Sequence, residues 1–163
     1  MDLRLATLDD AEAIREIYNL EVLTSTATFD LLPRTIEEQR AWQAERSGAR
    51  AVLTAVGDDG TVRGFGSLSP WRDRPAYATS VEDSVYVHRD HHGEGIGRAL
   101  LTELVATATA HGFHALLARI VGGHEASIAL HAGCGFEVVG TEREVGRKLG
   151  RWLDVVIMER LLA

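Results

Sequence analysis

The fold of this chain is decided by residues 91–97, which read His91-His92-Gly93-Glu94-Gly95-Ile96-Gly97. A valine-rich segment at residues 81–87 precedes this stretch and predicts a strand. An apolar pattern of helical period follows it and ends near Gly112. Glycines let the backbone bring its N–H groups close to a ligand, and a helix start adds unpaired amides. The stretch therefore predicts a strand–loop–helix unit that can bind an anion, although a flexible turn is the simpler interpretation.

Two common phosphate-binding motifs do not fit these glycines. A Walker loop requires Lys-Ser or Lys-Thr after its last glycine, and neither pair follows here. A Rossmann loop requires the spacing G-x-G-x-x-G. Its third glycine position holds Leu100 when counting starts at Gly95, and Arg98 when it starts at Gly93. The sequence therefore excludes both motifs.

The rest of the chain alternates between helix and strand patterns. Capping-box patterns at Thr7 and Thr35 begin two helices, the second of which is predicted to end near Gly48. Strand patterns lie at 51–56, 61–68, 115–121, 136–139 and 152–158, and a short helix pattern lies at 125–132. This mixture predicts an α/β fold in which helices flank one twisted sheet.

Length and composition indicate one compact domain, residues 1–163. Acidic side chains outnumber basic ones, 24 against 17, and the net charge of −7 argues against nucleic acid or an anionic membrane as a partner. No apolar stretch reaches the ~18 residues that a membrane span requires, and the start of the chain does not resemble a signal peptide. We therefore expect a cytoplasmic protein. Cys134 is the only cysteine and cannot form an intramolecular disulfide, which fits a reducing compartment.

Two segments resemble the GNAT acyltransferases. Residues 92–97 are similar to the family loop Q/R-x-x-G-x-G, with His92 where Gln or Arg is usual. Residues 124–136 are similar to the family segment N-x-x-S-x-x-L-Y/H-x-x-x-G-F/Y, with His124 in place of Asn. Three further segments, at 70–77, 81–87 and 150–155, resemble the phosphinothricin and methionine sulfoximine N-acetyltransferases.

This resemblance implies a GNAT-like sheet flanked by helices, acetyl-CoA as cosubstrate and a homodimer. It implies that acetyl passes directly to the α-amine of a small amino acid in a ternary complex. The glycine loop would hold the pyrophosphate and the preceding strand the pantetheine arm. The implied acetyl-CoA-binding residues are Val85, Tyr86, Val87, His92, Gly93, Glu94, Gly95, Ile96, Gly97, Arg98, His124 and Ser127.

Two candidate catalytic residues come from the same resemblance. Glu82 matches the family's catalytic glutamate, and a base is needed because only a neutral amine can attack a thioester. A carboxylate at the rim of the sheet is the alternative interpretation. Asp83 should point to the opposite face and be structural. His131 would protonate the departing thiolate or relay a proton from the amine, unless it is only a satisfied polar residue.

The expected substrate pocket contains arginines and aromatic residues. Arg74, or else Arg72, could hold the substrate carboxylate by a forked ion pair. Phe29, Trp71 and Tyr77 could form the pocket wall, although each could equally pack in the core.

Other interpretations carry less weight. The cluster of His88, Asp90, His91 and His92 lacks a recognised ligand spacing, so we expect no metal site. Cys134 is expected to pack, not to react. Alternative functions are acetylation of another amine, such as a polyamine, an amino sugar or a protein N-terminus, and a silent CoA-binding module, which His92 and His124 would favour.

Overall fold

The computed structural model describes residues 1–163 as one mixed sheet with four α-helices. The strands are β1 (Asp2–Leu5), β2 (Leu53–Val56), β3 (Val62–Pro70), β4 (Ser80–Val87), β5 (Ala115–Val121), β6 (Glu137–Lys148) and β7 (Arg151–Leu161). The helices are α1 (Ala11–Thr24), α2 (Ile36–Ala44), α3 (Ile96–Ala110) and α4 (Glu125–Gly133). The strand order is β1-β2-β3-β4-β5-β7-β6. The predicted fold class, helices flanking one sheet, is confirmed.

The sheet opens at its one parallel junction. All neighbouring strands are antiparallel except β4 and β5, which pair only from Ser80 with Ala115 to Glu82 with Leu117. Beyond Glu82 the two strands continue to Val87 and Val121 without pairing with each other. The outward N–H and C=O groups of these strand ends therefore face a cleft instead of a partner strand.

A separate apolar cluster covers each face of the sheet. On one face, α1 packs Ile14, Ile17 and Tyr18 against Phe65 of β3. On the other face, α3 packs its apolar side against a larger cluster that includes Leu68. Phe65 and Leu68 lie on opposite faces because side chains alternate along a strand. This alternation also sends Glu82 and Asp83 to opposite faces of β4.

Both predicted capping boxes are present. Glu38 N–H donates to Thr35 Oγ1 at 3.1 Å, and Thr35 N–H donates to Glu38 Oε2 at 2.8 Å. At the other site, Thr7 N–H donates to the carboxylate of Asp10 at 2.7 Å. The second helix nevertheless ends at Ala44 and not near Gly48, because residues 48–50 form a separate turn of 3-10 helix.

The sequence patterns missed one strand and shortened another. β1 was not predicted, since its four residues are too few for a clear alternation. β6 was predicted to end at residue 139, but it continues to Lys148 through register shifts and a charged, mostly exposed segment. No helix has the length and apolar character needed to cross a membrane.

Candidate active site

A cavity of about 500 Å³ occupies the opening between β4 and β5. β4 contributes residues 82–87 and β5 contributes residues 118–121. The loop between α1 and α2 adds Ala27, Thr28 and Phe29, and the α4 region adds His124, Ser127 and His131. Both predicted catalytic residues, Glu82 and His131, thus lie on the wall of one cavity.

Glu82 is held by an arginine that sequence reasoning did not identify. Arg119 of β5 donates from Nε and Nη2 to the two carboxylate oxygens of Glu82, both at 2.8 Å. The side chain of Glu82 is 14% exposed, whereas that of Arg119 is 54% exposed. The hydrogen bond to the carboxylate raises the pKa of Arg119. Glu82 is therefore an oriented, ion-paired carboxylate and not a free group on an exposed strand.

The pairing of β4 with β5 explains this contact. Glu82 lies beside Leu117, and Arg119 is two residues further along β5 on the same face. The sequence shows Arg119 only as one polar residue in an apolar strand. Its partner becomes evident only when the register of these two distant strands is known.

His131 is buried on the opposite side of β4. Its Nδ1 donates to the carbonyl oxygen of Ser127 at 2.7 Å, and its Nε2 lies 3.0 Å from Oδ1 of Asp83. Burial lowers the pKa of His131, but the hydrogen bond and charge of Asp83 outweigh it, so the net direction is upward. The ring of Phe136 packs edge-on against the imidazole, with centroids 5.0 Å apart. Asp83 does point to the opposite face from Glu82, where it is 6% exposed.

The glycine loop presents unpaired backbone amides beside the cavity. None of the amides of residues 95–98 donates a backbone hydrogen bond within the chain, as expected for the first turn of a helix. Gly93 and Gly95 both have a φ of +81°, which L side chains rarely adopt. A β-carbon at either position would meet nothing within 4 Å, so the space over the loop is open. The loop can therefore receive an anion.

The side chains of this loop are directed elsewhere. Glu94 pairs with Arg63 at 3.4 Å and with His91 at 3.1 Å. Arg98 donates to the carbonyl oxygen of Gly133 at the end of α4, at 3.1 Å. Ile96 is buried in the core, and Gly97 lets Leu130 of α4 approach closely. The side chains of these predicted binding residues thus have other partners, and their backbone amides are the groups that can contact a ligand on the loop.

The remaining predicted acetyl-CoA-binding residues are brought together at the cavity. Val85, Tyr86 and Val87 form its β4 wall, and His92, His124 and Ser127 also line it. His92 donates from Nε2 to the carbonyl oxygen of Val87 at 3.0 Å. The ring of Tyr86 stacks on Phe65, and its burial raises the pKa of its hydroxyl, so Tyr86 stays neutral.

Only one of the five predicted substrate-binding residues lines the cavity. Phe29 lines the cavity, whereas Trp71, Arg72, Arg74 and Tyr77 lie on the loop after β3, outside the cavity wall. Arg72 lies over the rings of Trp71, at 4.9 Å, and Tyr77, at 5.9 Å. Trp71 nevertheless connects this loop to the site. The guanidinium of Arg119, which binds Glu82, lies 5.5 Å from the Trp71 ring centroid.

Comparison with known proteins identifies the family. Residues 3–157 match the model of the acetyltransferase (GNAT) domain. The chain belongs to the GNAT acetyltransferase family. It is 41% identical over 157 residues to a phosphinothricin N-acetyltransferase of Streptomyces coelicolor, covering 94% of this chain and 92% of that protein. It is 38% identical over 158 residues to an L-methionine sulfoximine/L-methionine sulfone acetyltransferase of Pseudomonas paraeruginosa, covering 96% and 92%.

The fold of this GNAT chain agrees with a solved structure. A phosphinothricin acetyltransferase from Sinorhizobium meliloti, determined in complex with acetyl-CoA, superposes with a TM-score of 0.95 at 40% identity. The match covers 99% of this chain and 88% of that one. The resemblance stated from residues 92–97 and 124–136 is therefore confirmed, and this chain is a GNAT-type N-acetyltransferase.

Proposed function

We propose that this chain transfers the acetyl group of acetyl-CoA to the α-amine of a small amino acid or an analogue such as phosphinothricin or methionine sulfoximine. One observation carries the proposal. The opening between β4 and β5 brings a paired carboxylate and a buried imidazole to one cavity, and His92, which directly precedes the glycines of the loop, also lines it. The GNAT relatives named for these substrates match this chain over nearly its full length, which supports the same substrate class.

The cavity and loop fit acetyl-CoA. The free amides of residues 95–98 suit a diphosphate, since a helix start combines N–H donors with the positive end of the dipole. The unpaired edge of β4 between Asp83 and Val87 suits the amides of pantetheine, which can bind as an added strand does. The bound molecule would supply the thioester carbonyl that the amine attacks.

Glu82 and His131 have complementary tasks in this proposal. Glu82 accepts the proton that the substrate ammonium must lose before its nitrogen can attack, directly or through a water. The nitrogen then forms the new C–N bond as the C–S bond breaks and its electron pair goes to sulfur. His131 donates a proton to that sulfur. The nitrogen loses a second proton, to water, once the C–N bond has formed, so the ammonium gives up two protons, the sulfur gains one and one is released to solvent. Because the amine attacks the thioester directly, no covalent enzyme intermediate is needed.

Recognition of the substrate carboxylate is proposed for the loop after β3. Arg74 and Arg72 are exposed there and carry the charge that a carboxylate requires. Arg74→Ala should raise KM for an amino acid while leaving KM for acetyl-CoA unchanged. Arg151→Ala removes an exposed arginine elsewhere and serves as the control. If both variants behave alike, Arg74 does not hold the carboxylate.

We also propose a homodimer and a cytoplasmic location. β6 is an edge strand, and it exposes apolar side chains together with β7. These residues are Val138, Val139 and Val145 of β6, Trp152 of β7, and Leu149 of the turn between the two strands. Such a patch is typical of a protein interface. Light scattering should give twice the chain mass, and Trp152→Arg should halve it. A reduced Cys134 is compatible with the cytoplasm.

The decisive experiment is a thiol-release assay with acetyl-CoA. The acceptors are phosphinothricin, methionine sulfoximine, methionine sulfone, the common amino acids, spermidine, an aminoglycoside and a peptide with N-terminal alanine. Selective turnover of the first three, or of an amino acid, supports the proposal. Turnover of only the last three would replace it with acetylation of another amine.

A silent CoA-binding module gives a different result. It would show a CoA-dependent rise in melting temperature without turnover of any acceptor. Glu82→Gln separates catalysis from CoA binding, because it keeps the shape of the side chain and removes the charge. It should lower kcat at least tenfold while acetyl-CoA still raises the melting temperature.

A further inference from the structure

Arg119 has hydrogen-bond donors that the chain itself does not use. A guanidinium carries five N–H groups in one plane, and Glu82 accepts from one on Nε and one on Nη2. Both N–H groups of Nη1 and the second one of Nη2 donate to no other group of the chain. The side chain is 54% exposed and is the only arginine or lysine on the cavity wall. These donors can therefore bind a second acceptor while Glu82 keeps both of its hydrogen bonds.

Glu142 gives this part of the cavity a negative net charge. Four carboxylates line the wall, and Glu142 is the one that forms no ion pair. It lies on β6 beside Val155, which lies beside Val121, two residues beyond Arg119 on β5. Directly opposed residues share a face of the sheet, so Glu82, Arg119 and Glu142 lie on one face. The hydrogen bond of Glu82 raises the pKa of Arg119, and the charge of Glu142 adds to this effect.

We infer that Arg119 binds an oxygen atom of the acceptor's side chain, and that Glu142 makes this subsite prefer an uncharged oxygen to an anionic one. Sulfones and sulfoximines offer uncharged oxygens, whereas phosphinothricin offers an anionic phosphinate. An uncharged oxygen accepts from Arg119 without adding charge, but a phosphinate places a third negative charge beside one guanidinium. This inference rests on the proposed function, which leaves the α-carboxylate to the loop after β3, and it chooses between two acceptors that the proposed function groups together.

The competing explanation gives Arg119 a single task, the orientation of Glu82. Acceptor choice then depends only on the loop after β3, which carries Arg72 and Arg74. In that case, loss of Arg119 lowers turnover of every acceptor by the same factor. A binding role lowers turnover most for the acceptor that offers a side-chain oxygen. The ratio of kcat/KM between two acceptors separates these explanations, since a common loss through Glu82 cancels in it.

The first test uses methionine sulfone and methionine, which differ only in the sulfone oxygens. The wild-type enzyme should favour the sulfone. Arg119→Met keeps a long apolar stem and removes all five donors, so it should reduce the ratio of kcat/KM about tenfold or more, because a hydrogen bond to a charged group is lost. Arg151→Met is the matched control, since Arg151 is exposed and lies off the cavity wall. It should keep the wild-type ratio.

An unchanged ratio in Arg119→Met would overturn the inference. Where turnover of this variant is too slow to measure, calorimetry of both acceptors with the CoA complex gives the ratio of their dissociation constants. That ratio is subject to the same expectation.

The second test compares methionine sulfone with phosphinothricin. The wild-type enzyme should favour the sulfone, and Glu142→Gln should shift the ratio of kcat/KM toward phosphinothricin about three- to fivefold, because one exposed negative charge is removed. Glu137→Gln changes an exposed carboxylate of the same strand that lies off the cavity wall, and it should keep the wild-type ratio. A wild-type preference for phosphinothricin, or an unchanged ratio in Glu142→Gln, contradicts the inferred selectivity.

These outcomes are distinct from failure of the proposed function. If the wild-type enzyme acetylates no amino acid or analogue, the proposed function fails and the inference fails with it. If the wild-type enzyme acetylates them and the ratios do not respond to Arg119→Met and Glu142→Gln, only the inference is overturned.

Discussion

The ring of Phe29 occupies the space that a β-carbon on Gly146 would fill. The ideal β-carbon position on Gly146 is 2.5 Å from Cζ of Phe29. Two residues further along β6, Lys148 donates from Nζ to the carbonyl oxygen of Thr28 at 2.7 Å. β6 therefore holds the loop between α1 and α2 in position, and Phe29 of that loop forms part of the cavity wall. Gly146 shapes the cavity without lining it.

Gly146→Ala should consequently alter selection of the amino acid. The added methyl group forces the ring of Phe29 to move, and a displaced pocket wall misplaces the acceptor. We expect kcat/KM for the preferred amino acid to fall about tenfold, with KM for acetyl-CoA unchanged. Steady-state kinetics with each substrate varied in turn measures both effects.

A double variant tests whether Phe29 transmits this effect. In a Phe29→Ala background the methyl group meets no ring, so Gly146→Ala should change kcat/KM little further. Gly140→Ala is a suitable control on the same strand, because a β-carbon there meets nothing within 4 Å. Additive losses in the double variant would show that Gly146 acts independently of Phe29.

Arg119 should be required for efficient catalysis. Its two donors hold both oxygens of Glu82, so Arg119→Gln leaves the carboxylate in the cavity without a fixed orientation. We expect kcat to fall about tenfold and KM for acetyl-CoA to stay the same. Arg119→Lys keeps the charge but loses the fork, and it should retain an intermediate kcat. A wild-type kcat for Arg119→Gln would show that Glu82 needs no such partner.

Local sequence signals predicted most of the fold. Thr35 and Glu38 mark a helix start because a capping box is satisfied within four residues, and the glycines at 93 and 95 mark a turn for a similar reason. β1 and the long end of β6 were missed because pairing with distant strands stabilises them. No local pattern encodes that stabilisation.

The site divides in the same way. Glu82, His131 and the glycine loop were predicted as site residues because short motifs carry them. Arg119 and the partner of His131, Asp83, depend on contacts between residues 37 and 48 positions apart. Such contacts follow from strand register and from the docking of α4, so a single sequence does not reveal them. The same reason applies to Phe29 and Gly146, which meet only after β6 folds back onto the first loop.

Asp10 should make stability depend on pH. Its carboxylate accepts from Arg4 at 2.8 and 2.9 Å and from Thr7 N–H at 2.7 Å. The pKa of Asp10 is lowered in the folded state, chiefly by its hydrogen bonds with Arg4. A lowered folded-state pKa stabilises the protein above the unfolded value of about 3.9, and this contribution is lost as the pH falls below it. Asp10→Asn should lower the free energy of unfolding at pH 7 by about 1 kcal/mol.

Urea unfolding at several pH values checks this expectation. The difference between the wild-type protein and Asp10→Asn should be largest near pH 7 and should shrink below about pH 4. Asp9→Asn is the control, since Asp9 is exposed in the same turn. A difference that stays constant with pH would assign the loss to packing or capping geometry instead of to the charge of Asp10.

Gly95 and Gly60 allow the role of the glycine loop to be separated from backbone strain. Both have a φ of +81°, and a β-carbon on either would meet nothing within 4 Å. Alanine at each position should therefore cost a similar amount of stability, about 1 kcal/mol, because L side chains disfavour this conformation. Gly95 caps α3 beside the cavity, whereas Gly60 lies in the turn between β2 and β3.

Only Gly95→Ala should weaken binding of acetyl-CoA. Relief of the strain rotates the amides of the first turn of α3, which are the donors proposed for the diphosphate. We expect KM for acetyl-CoA to rise about tenfold in Gly95→Ala and to stay at the wild-type value in Gly60→Ala. Calorimetry with CoA and with its dephosphorylated pantetheine fragment locates the loss. If the two variants lose CoA affinity equally, the effect comes from lowered stability. If Gly95→Ala weakens pantetheine as much as CoA, the amides of the loop do not hold the diphosphate.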